Sequence, residues 1–146
     1  MKLLPNNLND ISNAIQLALG PVFLLTGVAG ILNVMSGRLS RIIDRARFLT
    51  ENPTAREMIG KKAIQLELET LEKRRYLTSS AITMCTFSAL FVCMVIVILF
   101  IEVLFSIPFN WIIGVFFSLA TLALVGGLAF FLREVHLSSK TIQFLK

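Results

Sequence analysis

Residues 80–105 read SAITMCTFSALFVCMVIVILFIEVLF, an apolar run in which Glu102 is the only charged residue. Crossing a hydrocarbon core of roughly 30 Å takes about 20 helical residues. A helix also satisfies its backbone hydrogen bonds internally, as lipid requires. The run therefore predicts a transmembrane helix.

Two further stretches, residues 11–35 and 109–132, are as long and contain no Lys, Arg, Asp or Glu. The composition agrees, with 55% hydrophobic and 16% charged residues. A chain of 146 residues folded in water needs more polar surface than this. Continuous apolar runs also lack the alternation of membrane β-strands. We therefore predict an all-α membrane protein with three transmembrane helices.

The first stretch has a second interpretation, a cleaved signal peptide. Its basic start is weak, with Lys2 alone, and the run is longer than a typical signal core. No convincing small-residue cleavage site precedes the arginines that follow it. We therefore favour a transmembrane helix.

The distribution of charge predicts an orientation. Residues 36–79 carry most of the Lys and Arg. The tail at 133–146 carries Arg133, Lys140 and Lys146, and the turn at 106–108 has no Lys or Arg. Because basic residues accumulate on the cytoplasmic side, the long loop and the C-terminal tail are expected to be cytoplasmic. The N-terminal tail, residues 1–10, and the turn at 106–108 are then expected outside.

The cytoplasmic loop at 36–79 is predicted to be a helical hairpin. The first arm is predicted to continue from the first span as a helix to about Leu49, and Asn52-Pro53 breaks it, since the residue preceding a proline disfavours helix. Thr54 and Glu57 match a capping box at the start of the second arm. From there only Gly60 interrupts a helix of about 75 Å that would reach Phe105. The apolar face of the first arm comprises Leu39, Ile42, Ile43, Ala46 and Leu49.

The second arm has two apolar stripes. One is expected to pack on the first arm, and the other needs a partner, for which another copy of the chain is the economical choice. The alternative is that scattered apolar residues simply lie on a solvated helix. The first stripe comprises Ile64, Leu68 and Leu71, and the second Ile59, Ala63 and Leu66.

The first span carries a stripe of polar and small residues at spacings of three, four or seven, which places them on one side of a helix. Pro21 is predicted to kink this helix. Small residues and amides serve close packing between membrane helices. The stripe is therefore either a helix–helix seam or the lining of a water-filled path in an oligomer. Its members are Asn13, Gln16, Gly20, Gly27, Gly30 and Asn33, with Gly37 beyond them.

Glu102 has two interpretations. A charge inside a membrane is costly and often functional, yet Glu102 lies within a turn of the outer end of its helix, where it can reach headgroup water. If it instead faces a central axis, copies of it form an acidic ring at the outer mouth that favours cations.

A charged cluster follows the first span. Within it, Asp44 is expected to pair with Arg41 or with the facing arm. The arginines are expected to contact anionic lipid, which contributes about 1 kcal/mol for each basic residue. The alternative is a basic ring around an inner vestibule. Nucleic-acid binding is not expected, because acids interrupt the basic residues. The cluster comprises Arg38, Arg41, Asp44, Arg45 and Arg47.

Three segments of the first helix and its extension resemble a known family. Residues 15–27 read IQLALGPVFLLTG, residues 32–34 read LNV, and residues 38–45 read RLSRIIDR. Together they resemble a bacterial family of small membrane proteins described as domain of unknown function 2721. Gly20 stands where alanine is expected. The resemblance implies a bacterial inner-membrane protein and supplies no catalytic residues.

The sequence does not predict an enzyme, a cofactor or a metal site. No nucleophile–base pair, ligand cluster or phosphate-binding glycine loop is present. Cys85 and Cys93 are eight positions apart in one helix and cannot pair with each other. We predict a homo-oligomer with a channel-like pathway for ions or small solutes along the first helix. The alternative is a non-conducting scaffold or regulatory subunit that uses the same surfaces for packing, lipid contact and partner binding.

Overall fold

The computed structural model describes residues 6–52, 60–105 and 110–143, which are helical except for Asn52 and Gly60. Helix α1 spans Asn6–Glu51, α2 spans Lys61–Phe105 and α3 spans Asn110–Gln143. Each is long and apolar enough to cross a membrane. The predicted all-α class with three transmembrane helices is confirmed.

Helix α1 ends at Glu51, two residues beyond the end predicted near Leu49, and the Asn52 amide donates a last hydrogen bond to the Phe48 carbonyl at 3.3 Å. The helix continues through Pro21 without a break. A kink at this proline stays a prediction. One turn later, the Thr26 hydroxyl donates to the Val22 carbonyl at 3.3 Å.

The unbroken second helix predicted from the capping box to Phe105 is wrong at its start. Helix α2 begins at Lys61, and Gly60 before it has a φ of 83°. This left-handed conformation suits glycine, which has no Cβ, and it cannot continue a right-handed helix. The 45 residues of α2 give a length of about 68 Å. Thr54 and Glu57 lie outside the described residues.

Buried positions recur every seven residues along each helix. A repeat of seven is 3.5 residues per turn, the period that keeps one helix face against its neighbours in coiled-coil packing. Seven-residue spacing joins Val28, Met35, Ile42 and Leu49 in α1, with Ala14 fourteen residues before Val28; Ile64, Leu71, Thr78, Cys85 and Val92 in α2; and Ala120, Gly127 and Glu134 in α3.

The described residues belong to two compact units. The first comprises Met1–Ile31 and Met84–Val125. Inside it, the Ser88 hydroxyl of α2 donates to the Ala120 carbonyl of α3 at 2.7 Å, and both residues are fully buried. The small Ala120 side chain leaves this carbonyl accessible, so a polar side chain is satisfied inside an apolar contact.

The second unit comprises Leu32–Thr83 and Gly126–Lys146. Its core joins the arms of α1 and α2, as the first apolar stripe predicts, through Ile42, Ala46, Leu49, Ile64, Leu68 and Leu71. Of the second predicted stripe, Ala63 and Leu66 are exposed, and Ile59 lies outside the described residues.

Candidate functional site

A buried carboxylate on α3 joins all three helices within the second unit. The Glu134 side chain is 0% exposed. Its Oε2 accepts a hydrogen bond from Arg38 Nη1 of α1 at 2.6 Å. Its Oε1 accepts hydrogen bonds from Arg74 Nε and Nη2 of α2 at 3.2 and 3.0 Å. Each oxygen thus pairs with a different arginine, and we call these three residues the Glu134 cluster.

The two guanidinium groups have further partners. Arg38 Cζ lies 5.5 Å from the centroid of the Phe131 ring, within the range of a cation–π contact. Arg74 Nη2 also donates to the Ser138 hydroxyl at 3.0 Å. The Arg38 and Arg74 side chains are 38% and 22% exposed, so both arginines reach from the buried carboxylate to the surface.

The sequence interpretation placed Glu134 in the tail and gave it no role. Helix α3 instead continues to Gln143 and carries Glu134 on its packed face. A signal was present, because Glu134 follows Ala120 and Gly127 at spacings of seven. An acid in this register, just beyond an apolar span, is placed to meet the arginines that flank the other two spans.

The predicted basic cluster is divided among different partners. Arg38 pairs with Glu134, and Arg45 Nε donates to Glu67 Oε1 of the facing arm at 2.8 Å. Arg47 lies 3.9 Å from Glu51 on its own helix. The five residues therefore divide into two sets: Arg38, Arg41 and Arg45 line one cleft, and Asp44 and Arg47 line another.

The structure shows no pair of Asp44 with Arg41 or with a described residue of the facing arm. Among the described residues Asp44 makes no ion pair, and Arg45 makes the contact with the facing arm instead. One residue along a helix rotates the side chain by about 100°, which turns Asp44 away from α2 when Arg45 faces it.

A cleft of about 510 Å³ opens between α1 and α2 in the second unit. Its polar lining consists of Arg38, Arg41, Arg45 and Arg74 with Asn33. We call it the arginine cleft. Arg38 and Arg74 also belong to the Glu134 cluster, so the buried cluster and the open cleft share these two side chains.

The polar and small residues of the first span lie on the outside of the chain. All six are exposed, whereas Ala14, Ala18, Val28 and Met35 of the same helix are buried. A Cβ built on Gly20, Gly27 or Gly30 meets no atom within 4 Å. We call this exposed set, Asn13, Gln16, Gly20, Gly27, Gly30 and Asn33, the α1 stripe. It is not sealed against the rest of the chain.

Glu102 is half-buried near the end of α2, and it makes no ion pair with any residue that the structure describes. Tyr76 and Trp111 are 70% and 80% exposed, which suits side chains at a membrane interface. Cys85 and Cys93 are free thiols, the first buried and the second exposed. In the described ranges no group of three His, Cys, Asp or Glu residues is placed to hold a metal ion.

These features define a multi-pass membrane protein with three long helices, a buried charged cluster and an exposed polar stripe. The sequence profile of a family described as "Protein of unknown function (DUF2721)" matches residues 18–144. The chain belongs to this family, as its resemblance predicts. Comparison with curated proteins and with solved structures finds no match.

Proposed function

We propose that this protein is a homo-oligomer in which the α1 stripe lines a channel-like pathway for ions or small solutes. The observation that carries this proposal is the exposure of every stripe residue, which places polar amides on the outside of a helix that also exposes large apolar side chains such as Leu17 and Phe23. The pathway is formed between copies, since a single chain leaves this face open.

The amides of the α1 stripe favour contact with a partner. Gln16 is the sixth residue of the first apolar stretch and its side chain is exposed, so in a single chain it lies against lipid. An amide without hydrogen-bond partners in an apolar medium costs roughly 2–7 kcal/mol. Contact with a second protein surface or with water removes this cost. Another copy of the same chain offers both, because symmetry brings Asn13, Gln16 and Asn33 together with their equivalents.

The glycines support the same arrangement. Gly27 and Gly30 are exposed and have open space beside them. Small residues at spacings of three or four allow a second helix backbone to approach closely. Contacts at the glycines can therefore hold copies together while the amides face a polar interior.

The ends of the pathway follow from charge. In the proposed orientation, the hairpin lies on the cytoplasmic side of a bacterial inner membrane. The arginines after the first span then surround the inner end of the pathway. Copies of Glu102 near the outer end favour cations there. No catalytic step is part of this function, and the protein is proposed not to be an enzyme.

Ion flux into liposomes tests the function. We expect purified protein to conduct at least one of K⁺, Na⁺ or Cl⁻ above the rate of empty liposomes. Gln16→Leu is expected to lower the flux about tenfold, which corresponds to ~1.4 kcal/mol on the barrier. Leu122→Ala, at an exposed position of α3, is the matched control and should leave the flux unchanged.

The same experiment distinguishes the conducting pathway from the alternative function, a non-conducting scaffold or regulatory subunit. A scaffold or regulatory subunit uses the α1 stripe only for contacts, so it associates without conducting. Association of copies with no flux above empty liposomes, across these ions and several pH values, contradicts the pathway and favours the scaffold.

A further inference from the structure

We infer that the arginine cleft is a binding site for a phosphate group. The cleft has a volume of about 510 Å³ between α1 and α2 and is open to the surface, and no acidic residue in the described part of the chain lines it. Its apolar wall includes Ile42 and Leu71. The cleft shares Asn33 with the α1 stripe and its α1 arginines with the inner end of the proposed pathway, but binding of a phosphate requires no conduction.

The charges of the cleft are not balanced. Four guanidinium groups line it, and two carboxylates pair with them: Glu134 with Arg38 and Arg74, and Glu67 with Arg45. Among the described residues, four positive charges against two negative ones leave two positive charges at the cleft. The nearest remaining acid along α1, Asp44, lines a different cleft together with Arg47.

Donors in the cleft are also unused. Arg41 is exposed and gives no hydrogen bond or ion pair to any described residue, although a guanidinium carries five N–H donors. Arg45 binds Glu67 through Nε alone. Arginine forks match the oxygens of a phosphate in a two-point contact, which suits a dianionic or monoanionic phosphate better than a halide ion.

The Glu134 cluster holds two of the four arginines in place. Glu134 binds Arg38 and Arg74 from the buried side, and their side chains also line the cleft. Fixing these long side chains in advance reduces the rotamer entropy that a ligand would otherwise have to overcome. Glu134 is therefore a positioning residue for the site.

Two sources supply a phosphate group here. Arg38 follows the apolar stretch 11–35 by three residues, which is the level at which lipid headgroups lie. A small soluble phosphate compound can also enter, because the cleft is open. The chemistry of recognition is the same for both, and the binding experiment has one arm for each.

The test measures binding to purified full-length protein at fixed ionic strength. One arm uses phosphatidylglycerol vesicles against phosphatidylcholine vesicles, and the other uses inorganic phosphate and pyrophosphate. We expect tighter binding in at least one arm. Arg41→Gln, which breaks no ion pair, should weaken it about fivefold, and Arg41→Gln with Arg45→Gln about thirtyfold, at roughly 1 kcal/mol for each basic residue.

Arg47→Gln is the control, because Arg47 does not line this cleft and its side chain pairs, among the described residues, with Glu51 alone, at 3.9 Å. Binding of the anionic vesicles alone identifies a lipid headgroup as the source. Binding of free phosphate or pyrophosphate identifies a soluble one. No binding in either arm overturns the site. An equal loss of binding with Arg47→Gln also overturns it, because the binding is then a general attraction between charges.

Discussion

Replacing Glu134 by alanine is expected to destabilise the folded protein by about 3 kcal/mol, because it leaves Arg38 and Arg74 positive and unpaired beside a buried gap. Removing one partner of a buried ion pair costs about 3–5 kcal/mol, and the partial exposure of both arginines favours the lower end. For a chain of this size the loss lowers the unfolding temperature by roughly 10 °C. Thermal unfolding in a mild detergent, followed by circular dichroism, measures it.

Glu69→Ala is the matched control, since Glu69 is exposed and makes no ion pair with the described residues. Its unfolding temperature should equal that of the natural protein. A second variant, Glu134→Leu with Arg38→Met and Arg74→Met, replaces all three charges by apolar side chains and should regain most of the stability. If Glu134→Ala unfolds at the same temperature as Glu69→Ala, the cluster does not hold the three helices together.

Replacing Gly27 and Gly30 by leucine is expected to separate the copies of the protein and to leave each copy folded. Neither glycine has a neighbouring atom in the way of a Cβ, so a single chain accepts both side chains. Between two closely packed helices, the added volume costs about 1–3 kcal/mol. Association should therefore weaken roughly ten- to hundredfold. The mass of the protein in nanodiscs or by native mass spectrometry reports the change.

Gly114→Leu provides the control for this pair, because Gly114 is an exposed glycine of α3 with open space beside it. It tests the same exchange on another helix, and the assembly should keep its mass. An unchanged assembly in the Gly27→Leu and Gly30→Leu variant means that copies do not meet at the α1 stripe.

Much of the fold could be predicted because membrane helices are encoded locally. The three apolar stretches are each long enough to identify a span without knowledge of the others. The packing of the hairpin arms was also predictable, since Ile64, Leu68 and Leu71 recur at helical spacing. The start of α2 was less predictable, because both the capping box and Gly60 are possible helix boundaries. Only the backbone conformation decides between them.

The Glu134 cluster could not be deduced in the same way. Its members are 96 and 60 positions apart along the chain, so their pairing depends on the relative placement of three helices. The charged cluster of α1 shows the same limit. From the sequence, either Asp44 or Arg45 could face α2. Adjacent side chains on a helix point about 100° apart, and in the structure Arg45 faces α2.

Cross-linking at Gln16 tests most directly whether the α1 stripe faces another copy. In a background of Cys85→Ala and Cys93→Ala, a cysteine replaces Gln16, and the protein is treated in its membrane with a mild oxidant or a short bifunctional thiol reagent. A disulfide needs Cα atoms within about 7 Å of each other. We expect covalent dimers from the Gln16→Cys variant and none from Leu122→Cys, which lies at an exposed position on α3. Equal yields from both positions, or no dimer from Gln16→Cys with either reagent, would contradict the assembly proposed here.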